Sequence, residues 1–167
     1  GAPELRVLET IPPELASARL RFLTSNNRSS VTTRVNNTFT LLVRAGNSQA
    51  IQGISQIDGG EIHLTYDPTK LTIDALSDIT AGASLGTVLQ SQRNNTTGTL
   101  DFAAGTLTLP VQGEFTLVTI RFRALASTGS GVTLIQASAD PYRPTLLTLD
   151  GAAITLTPTP MSVKINP

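Results

Sequence analysis

The chain holds one histidine, His63, and no cysteine, and those two facts bound its chemistry at once. A zinc centre takes three or four ligands, drawn mostly from Cys and His, so none is expected, and disulfide or thiolate chemistry is excluded outright. A nucleophilic triad would have to use His63. The letters G-x-S-x-G occur at Gly82-Ala83-Ser84-Leu85-Gly86, but in a stretch that reads as a loop rather than as the strand-to-helix turn of a nucleophile elbow, and His63 lies inside an alternating stretch, so the plainer expectation is an outward-facing strand residue. Glycoside hydrolysis needs two opposed carboxylates about 5 to 9 Å apart. Twelve acidic residues make some such pair geometrically inevitable, but no local constellation marks one out.

The remaining candidates are single residues. Asp67 precedes Pro68 and is expected to cap the turn it starts, accepting backbone N–H groups on its short side chain. Asp58, Asp74, Asp78, Asp140 and Asp150 are scattered, with no D-x-[DN]-x-[DN]-G loop to hold calcium. Tryptophan is absent and the tyrosines are Tyr66 and Tyr142. Tyr66 is expected in the core with its hydroxyl at a polar edge. Tyr142, flanked by Pro141 and Pro144, is the one exposed ring, a poor platform for a glycan. N-x-[ST] sequons occur at Asn27, Asn36, Asn94 and Asn95, where the abundance of Asn and Thr makes chance matches common. No glycine-rich phosphate cradle and no basic stripe interleaved with aromatics is present, so nucleic acid is not an expected partner. No cofactor and no metal site is expected.

These residues must be positioned by strands. Glu61 to Leu71 is the organising stretch: Ile62, Leu64 and Tyr66 point one way and Glu61, His63 and Thr65 the other, the period-two signature of a half-buried strand. Asp67-Pro68 then stops the ladder, and Leu71 returns the chain to the core. Similar alternation predicts strands over Ala18–Thr24, Thr38–Ala45, Leu85–Ser91, Thr99–Ala103, Thr116–Ala124 and Val132–Ala137, with Val31–Asn37 as a short strand or an extended crossing. Weaker signals lie around Ile51, Ile54 and Ile57, with Gly53 and Gly59-Gly60 as bulge or turn positions, and at Thr106–Val111. Asp150-Gly151 is a type I′ turn pair that folds Ala152–Leu156 back on Leu146–Leu149. Val118, Ile120 and Phe122 are expected inside, with Leu117, Thr119, Arg121 and Arg123 outside. Gln92–Gly98 reads as a polar turn. Residues 1–17 read as an N-terminal strap or linker, 18–157 as one domain, and 158–167 as the start of a Pro/Thr linker.

Bulk numbers agree with a single all-β domain. The 167 residues are enough for a proper core. Aromatics are 4% and charged residues only 14%, so the core depends on Leu, Ile and Val with Phe22, Phe39, Phe102, Phe115 and Phe122. The formal net charge is zero, with 12 basic and 12 acidic residues, and creates no long-range field. No run of eighteen apolar residues occurs, so no helical membrane insertion is expected. Nine or ten short strands with Gly, Pro and Asn turns predict a β-sandwich or jelly roll.

The order of these signals resembles a cohesin-type module of the carbohydrate-binding-like superfamily. The resemblance rests on Phe39-Thr40-Leu41-Leu42-Val43-Arg44-Ala45, then Ile54-Ser55-Gln56-Ile57, then Glu61 through Leu71. Gly98-Thr99-Leu100-Asp101-Phe102 and Gly113 through Phe122 follow, so that residues 18 to 157 are covered. It implies a nine-stranded jelly-roll sandwich with no enzymatic activity, outside the cell or on its surface, that binds a dockerin-type partner through one sheet face and so assembles a larger complex. That face would carry the strands at Glu61–Tyr66, Leu85–Ser91, Thr99–Ala103 and Thr116–Arg123. Its partner-binding residues would be Glu61, His63, Thr65, Gln90, Asp101, Leu117, Thr119, Arg121 and Arg123, with Val88 beside them. The alternatives are a polysaccharide-binding module using an edge groove or loops around Tyr142, and a structural spacer of a surface protein.

Overall fold

Side chains that alternate in type along an extended backbone sort to opposite faces, and in the computed structural model that rule governs most of the chain. The structure describes residues 10–49 and 54–167; most of the expected N-terminal strap, and Ile51 and Gly53, lie outside them. In chain order the elements are α1 (Pro13–Ala16), β1 (Arg19–Leu23), β2 (Ser30–Arg34), β3 (Thr38–Gly46), β4 (Gln56–Ile57), β5 (Gly59–Thr65), β6 (Leu71–Thr72), a 3-10 turn (Leu76–Asp78), β7 (Ile79–Ala81), β8 (Thr87–Asn94), β9 (Thr99–Gly105), β10 (Val111–Gln112), β11 (Glu114–Ala124), β12 (Thr133–Ala137), β13 (Leu146–Leu149), β14 (Ala152–Thr155) and β15 (Met161–Asn166).

The strands form two packed sheets. In the first, β3 lies between β1 and β11, and the far side of β11 is shared by β6 and β7. In the second, β5 is central: β9 pairs along its whole length and continues to β8, while its other edge is divided between β13–β14 and β12–β15–β2. All pairings are antiparallel except β15 on β2. β4 and β10 make a small two-stranded piece.

The core lies between the sheets. Leu41, Val43, Ile120 and Phe122 of the first sheet meet Ile62, Leu64, Leu100, Phe102, Ile135 and Leu147 of the second, all essentially inaccessible. Each such side chain contributes about 1.5–3 kcal/mol by leaving water. Phe122 is the aromatic centre, stacked on Phe39 at 5.7 Å and met edge-on by Tyr66 at 5.4 Å. The Tyr66 hydroxyl donates to Asn95 Oδ1 at 2.6 Å, and burial pushes its pKa up to about 12 against the lowering influence of Arg93. The Asn95 amide also bonds both the N–H and the C=O of Ile73. The nitrogen a glycan would modify is therefore occupied by a structural bond.

The Asp67 turn matches its expectation. Asp67 Oδ1 accepts the Thr69 N–H at 2.9 Å and hydroxyl at 2.6 Å, and these bonds hold its carboxyl below the usual range. Leu71 is fully buried after it. Asp150 and Gly151 both take positive φ, as a type I′ turn requires, and β13 pairs with β14 through them.

Several expectations are corrected. Met161–Asn166 is a core strand, with Met161, Val163 and Ile165 fully buried between β12 and β2, where linker had been read. The Pro158 and Pro160 signals end before it begins. Leu15, in the one-turn α1, is also fully buried, so part of the expected strap belongs to the core. β8 runs on through Gln92 to Asn94, leaving only a four-residue turn before β9. Ile57 is buried but Ile54 is exposed, and among the described residues of that stretch only Gln56–Ile57 forms a strand. Leu117, expected outside, is fully buried.

The cause of the Leu117 inversion is a bulge in β11 between Thr116 and Val118, which gives the strand an extra residue. At that point the Gly82 N–H, just past β7, donates to the Leu117 carbonyl at 2.9 Å. Both Leu117 and Val118 then face inward. Leu117 reaches across the sandwich to Gly60 of β5, where an added Cβ would lie 2.9 Å from Leu117 Cδ2 and 3.2 Å from Leu147 Cδ2. Glycine at position 60 is what leaves room for it.

Leu117→Ala is expected to destabilise the domain by about 2–5 kcal/mol in urea unfolding. Thr119→Ala, on the outer side of the same strand, should change it by no more than about 0.5 kcal/mol. Equal, small effects would mean that the bulge is misplaced.

Candidate functional site

The outer face of the second sheet follows from its register. Cross-strand partners share a face, so Gln90, Ala103, Glu61 and Leu146 form one row and Gln92, Asp101 and His63 the next. Thr65 and Thr99 follow, with Asn94 beyond. At the other end, Gly59 pairs with Gly105 on one side and Thr148 on the other. Gly59, Ala103 and Gly105 put almost no side chain on this surface. They floor a groove of about 670 Å³ walled by Leu89, Gln90 and Gln92 of β8 and by Leu146 and Thr148 of β13. Asp58 secures one end, its carboxylate accepting the Thr148 hydroxyl at 2.8 Å and the Asp150 N–H at 2.7 Å.

His63 sits beyond the groove and is on the outer face as expected, yet only 6% exposed. Its Nδ1 lies 2.6 Å from Asp101 Oδ1 and its Nε2 3.3 Å from Glu61 Oε1. Arg143 converges on the same Asp101 Oδ1, donating through Nε at 3.0 Å and also through Nη2. Burial pushes the Asp101 carboxyl up, but the bonds from His63 and Arg143 outweigh it and hold the carboxyl below the usual range.

The loop that delivers Arg143 has a backbone origin. β12 pairs with β5 only at Leu64 and Thr65, and β13 takes over only at Glu61. At His63 the chain leaves the sheet, and residues 138–145 make an excursion over the outer face. The Ser138 N–H bonds the His63 carbonyl at 2.8 Å; the Thr145 hydroxyl accepts the His63 N–H at 3.1 Å and donates to its carbonyl at 3.2 Å. Thr145 thus stands in for the missing ladder partner. Asp140 caps the loop by accepting the Tyr142 N–H at 2.9 Å, and Tyr142 at its tip is 91% exposed.

This arrangement presents a fixed pattern of charge and shape. Both His63 nitrogens face carboxylates, and the adjacent Thr145 hydroxyl is bonded to backbone on both sides, which gives the imidazole no nucleophile to activate. Among the described residues no group of three His, Cys, Asp or Glu side chains is placed to hold a metal ion. The groove is instead a partly apolar depression with Glu61 in its wall and with Leu89, 75% exposed, projecting beside it; the Asp101–Arg143 cluster lies beyond it, and Tyr142 projects from the 138–145 loop.

Glu61, His63, Thr65, Gln90 and Asp101 therefore share one face. Leu117, Thr119, Arg121 and Arg123 do not join them. β11 lies in the first sheet, between β3 and β6–β7, so Thr119, Arg121 and Arg123 look out from the opposite side of the molecule and Leu117 lies between the sheets. Sheet membership is decided by backbone pairing across distant segments, which alternation within β11 does not encode. Val88 pairs with Ala104, across the strand from the groove, and Leu89 takes the groove position because β8 has its own bulge between Val88 and Gln90. Sequence reasoning missed Arg143, Gln92, Leu146 and Thr148; the proline-flanked loop was the only signal near Arg143.

A protein-family model for the cohesin domain matches residues 28–143. The chain belongs to the cohesin-domain family. Solved cohesins share the fold at low identity. A cohesin module from a family 33 glycoside hydrolase of Clostridium perfringens superposes with a TM-score of 0.65 at 17% identity, covering 90% of this chain and 97% of that one. A non-cellulosomal cohesin from the archaeon Archaeoglobus fulgidus gives 0.65 at 11%, covering 90% and 92%. A type I cohesin–dockerin complex from Clostridium thermocellum contains a chain matching at 0.63 and 11%, covering 90% and 99%. No curated protein matches this cohesin domain. Such matches make the two-sheet sandwich a fold common to the group.

Folding favours the ionised form of Asp101 in this domain, since its carboxyl is held low. The stability it supplies is present above the ordinary carboxylate range and is lost as pH falls through the lowered value. Asp101→Asn is expected to lower the unfolding free energy at pH 7 by about 1–3 kcal/mol. Urea unfolding near pH 3 should show the difference shrinking; a gap independent of pH would mean that the charge is not what matters.

Proposed function

We propose that this cohesin domain is a non-catalytic module that holds a dockerin-type protein through the outer face of β8, β9, β5 and β13, fixing that partner within a larger assembly. Family membership supports the class of function, and one of the similar solved structures is a cohesin with a dockerin. The observation that carries the choice of face is the groove floored by Gly59, Ala103 and Gly105, which lets a protruding element of a partner approach the sheet backbone closely. Glu61, Gln90 and Thr65 are the direct polar contacts. Asp101 and His63, clamped by Arg143, hold the charge pattern rigid, which lowers the ordering cost of binding. Leu89 and Tyr142 are the apolar anchors that a protein interface requires. The same reading groups short segments such as β4 and β10 into the longer strands of a nine-stranded jelly roll and puts the protein outside the cell or on its surface.

Calorimetric titration with dockerin modules from the same organism tests this, in calcium and again with EDTA, because the resemblance implies a calcium-folded partner. A one-to-one complex that the chelator abolishes is expected. Glu61→Lys should weaken it by about tenfold or more, whereas Arg121→Ala, on the opposite sheet, should leave it unchanged. Absence of a complex with every such module would overturn the reading.

A further inference from the structure

The opposite surface, the outer face of β1, β3 and β11, has a composition the chain as a whole does not. Its register places Arg21 directly beside Arg44 and Thr116, Arg121 beside Thr40, and Arg123 beside Thr38, with Arg19 at the head of the same face. Five of the chain's twelve basic residues are thus gathered on one sheet face of a protein with zero net charge. The carboxylates paired with them are Glu114 and Asp74. Among the described residues no carboxylate pairs with Arg19 or Arg121.

Two features show that the arrangement is more than a solvated surface. Like charges directly opposite one another on a sheet repel, yet Arg21 faces Arg44, and Glu114 alone bridges them. The guanidinium groups are also held in place. Arg44 Nη1 donates to the Thr116 hydroxyl at 2.9 Å and Arg121 Nη2 to the Thr38 hydroxyl at 3.3 Å. Arg123 shows the recognition such a group performs, gripping both oxygens of Asp74 from Nε and Nη2 at 3.0 Å each. At the head of the face Arg19, Arg21, Asn47 and Gln49 line a small hollow of about 170 Å³, with Glu114, already engaged by Arg21 and Arg44, on its wall.

The arginines fall into two groups, four residues apart along β3, or roughly 14 Å at strand rise. Between them the register places Leu42, Thr119 and Thr80. A ligand suited to this face is long and thin and offers carboxylates at intervals, with hydroxyls for the threonines. A protein partner would want a projecting apolar or aromatic anchor here, and a nucleic acid would want rings to stack on; the face supplies neither. We propose that this face is a second binding site, for a carboxylated linear polysaccharide, independent of the partner-binding face on the other sheet.

Affinity electrophoresis of the whole chain through gels containing polygalacturonate tests the proposal, with neutral dextran and poly-L-glutamate as comparators. Retardation by polygalacturonate that weakens with added salt is expected, with dextran inert and polyglutamate weaker. Arg19→Ala and Arg121→Ala should each lower the affinity about two- to fivefold and together remove it, while Glu61→Lys leaves it unchanged. Lack of retardation at low salt, or retardation indifferent to the arginine substitutions, overturns the proposal. Polyglutamate binding as strong as polygalacturonate would assign the face to an acidic protein instead, and self-association abolished by Arg121→Ala would assign it to a second copy of the chain. Dockerin titration does not depend on these arginines, so either site can fail without the other.

Discussion

Strand β5 has two edges and three neighbours. One edge is filled by β9 from Gly59 to Thr65; the other is divided between β13 at Gly59–Glu61 and β12 at Leu64–Thr65. A backbone group buried without a partner is costly, so the gap at His63 must be closed, and Ser138 and Thr145 close it. That requirement fixes where residues 138–145 leave and rejoin the sheet. It brings Arg143 over Asp101 and lifts Tyr142 into solvent. The character of the outer face thus descends from a hydrogen-bonding problem in the middle of the sheet.

A second constraint works across the sandwich. Gly60 and Leu117 are complementary, one lacking a side chain where the other projects. Leu117 reaches that position only because β11 bulges where Gly82 contacts it. The bulge leaves Thr119, Arg121 and Arg123 outside on the far surface. The groove on one sheet and the arginine array on the other lie on opposite faces of the sandwich, and the registration between the sheets sets both.

Much of this was legible in sequence where the determining interactions are local. Ile62, Leu64, Ile120 and Phe122 alternate, and they are core. Asp67-Pro68 and Asp150-Gly151 carry turn chemistry, and they turn. What could not be read was set at a distance. Met161, Val163 and Ile165 alternate as clearly as any strand, but the preceding prolines suggested a linker, and only pairing with β12 and β2 identifies their role. Arg143 and Asp101 are 42 residues apart. The same limit divided the expected binding residues: Glu61, His63, Thr65, Gln90 and Asp101 share a surface, whereas the resemblance put β11 there too, and its pairing with β3 puts it in the other sheet.

β8 pairs with β9 alone, so its outer edge is open beside the groove. Open edges invite strand-by-strand addition and insoluble stacking. Here the first half is broken by the bulge at Leu89, and the second is shielded by Arg93, which reaches back to the carbonyls of Ile73 and Asp74 at 2.6 and 3.0 Å. The domain can therefore offer a broad, partly apolar sheet face without its backbone serving as a template for aggregation.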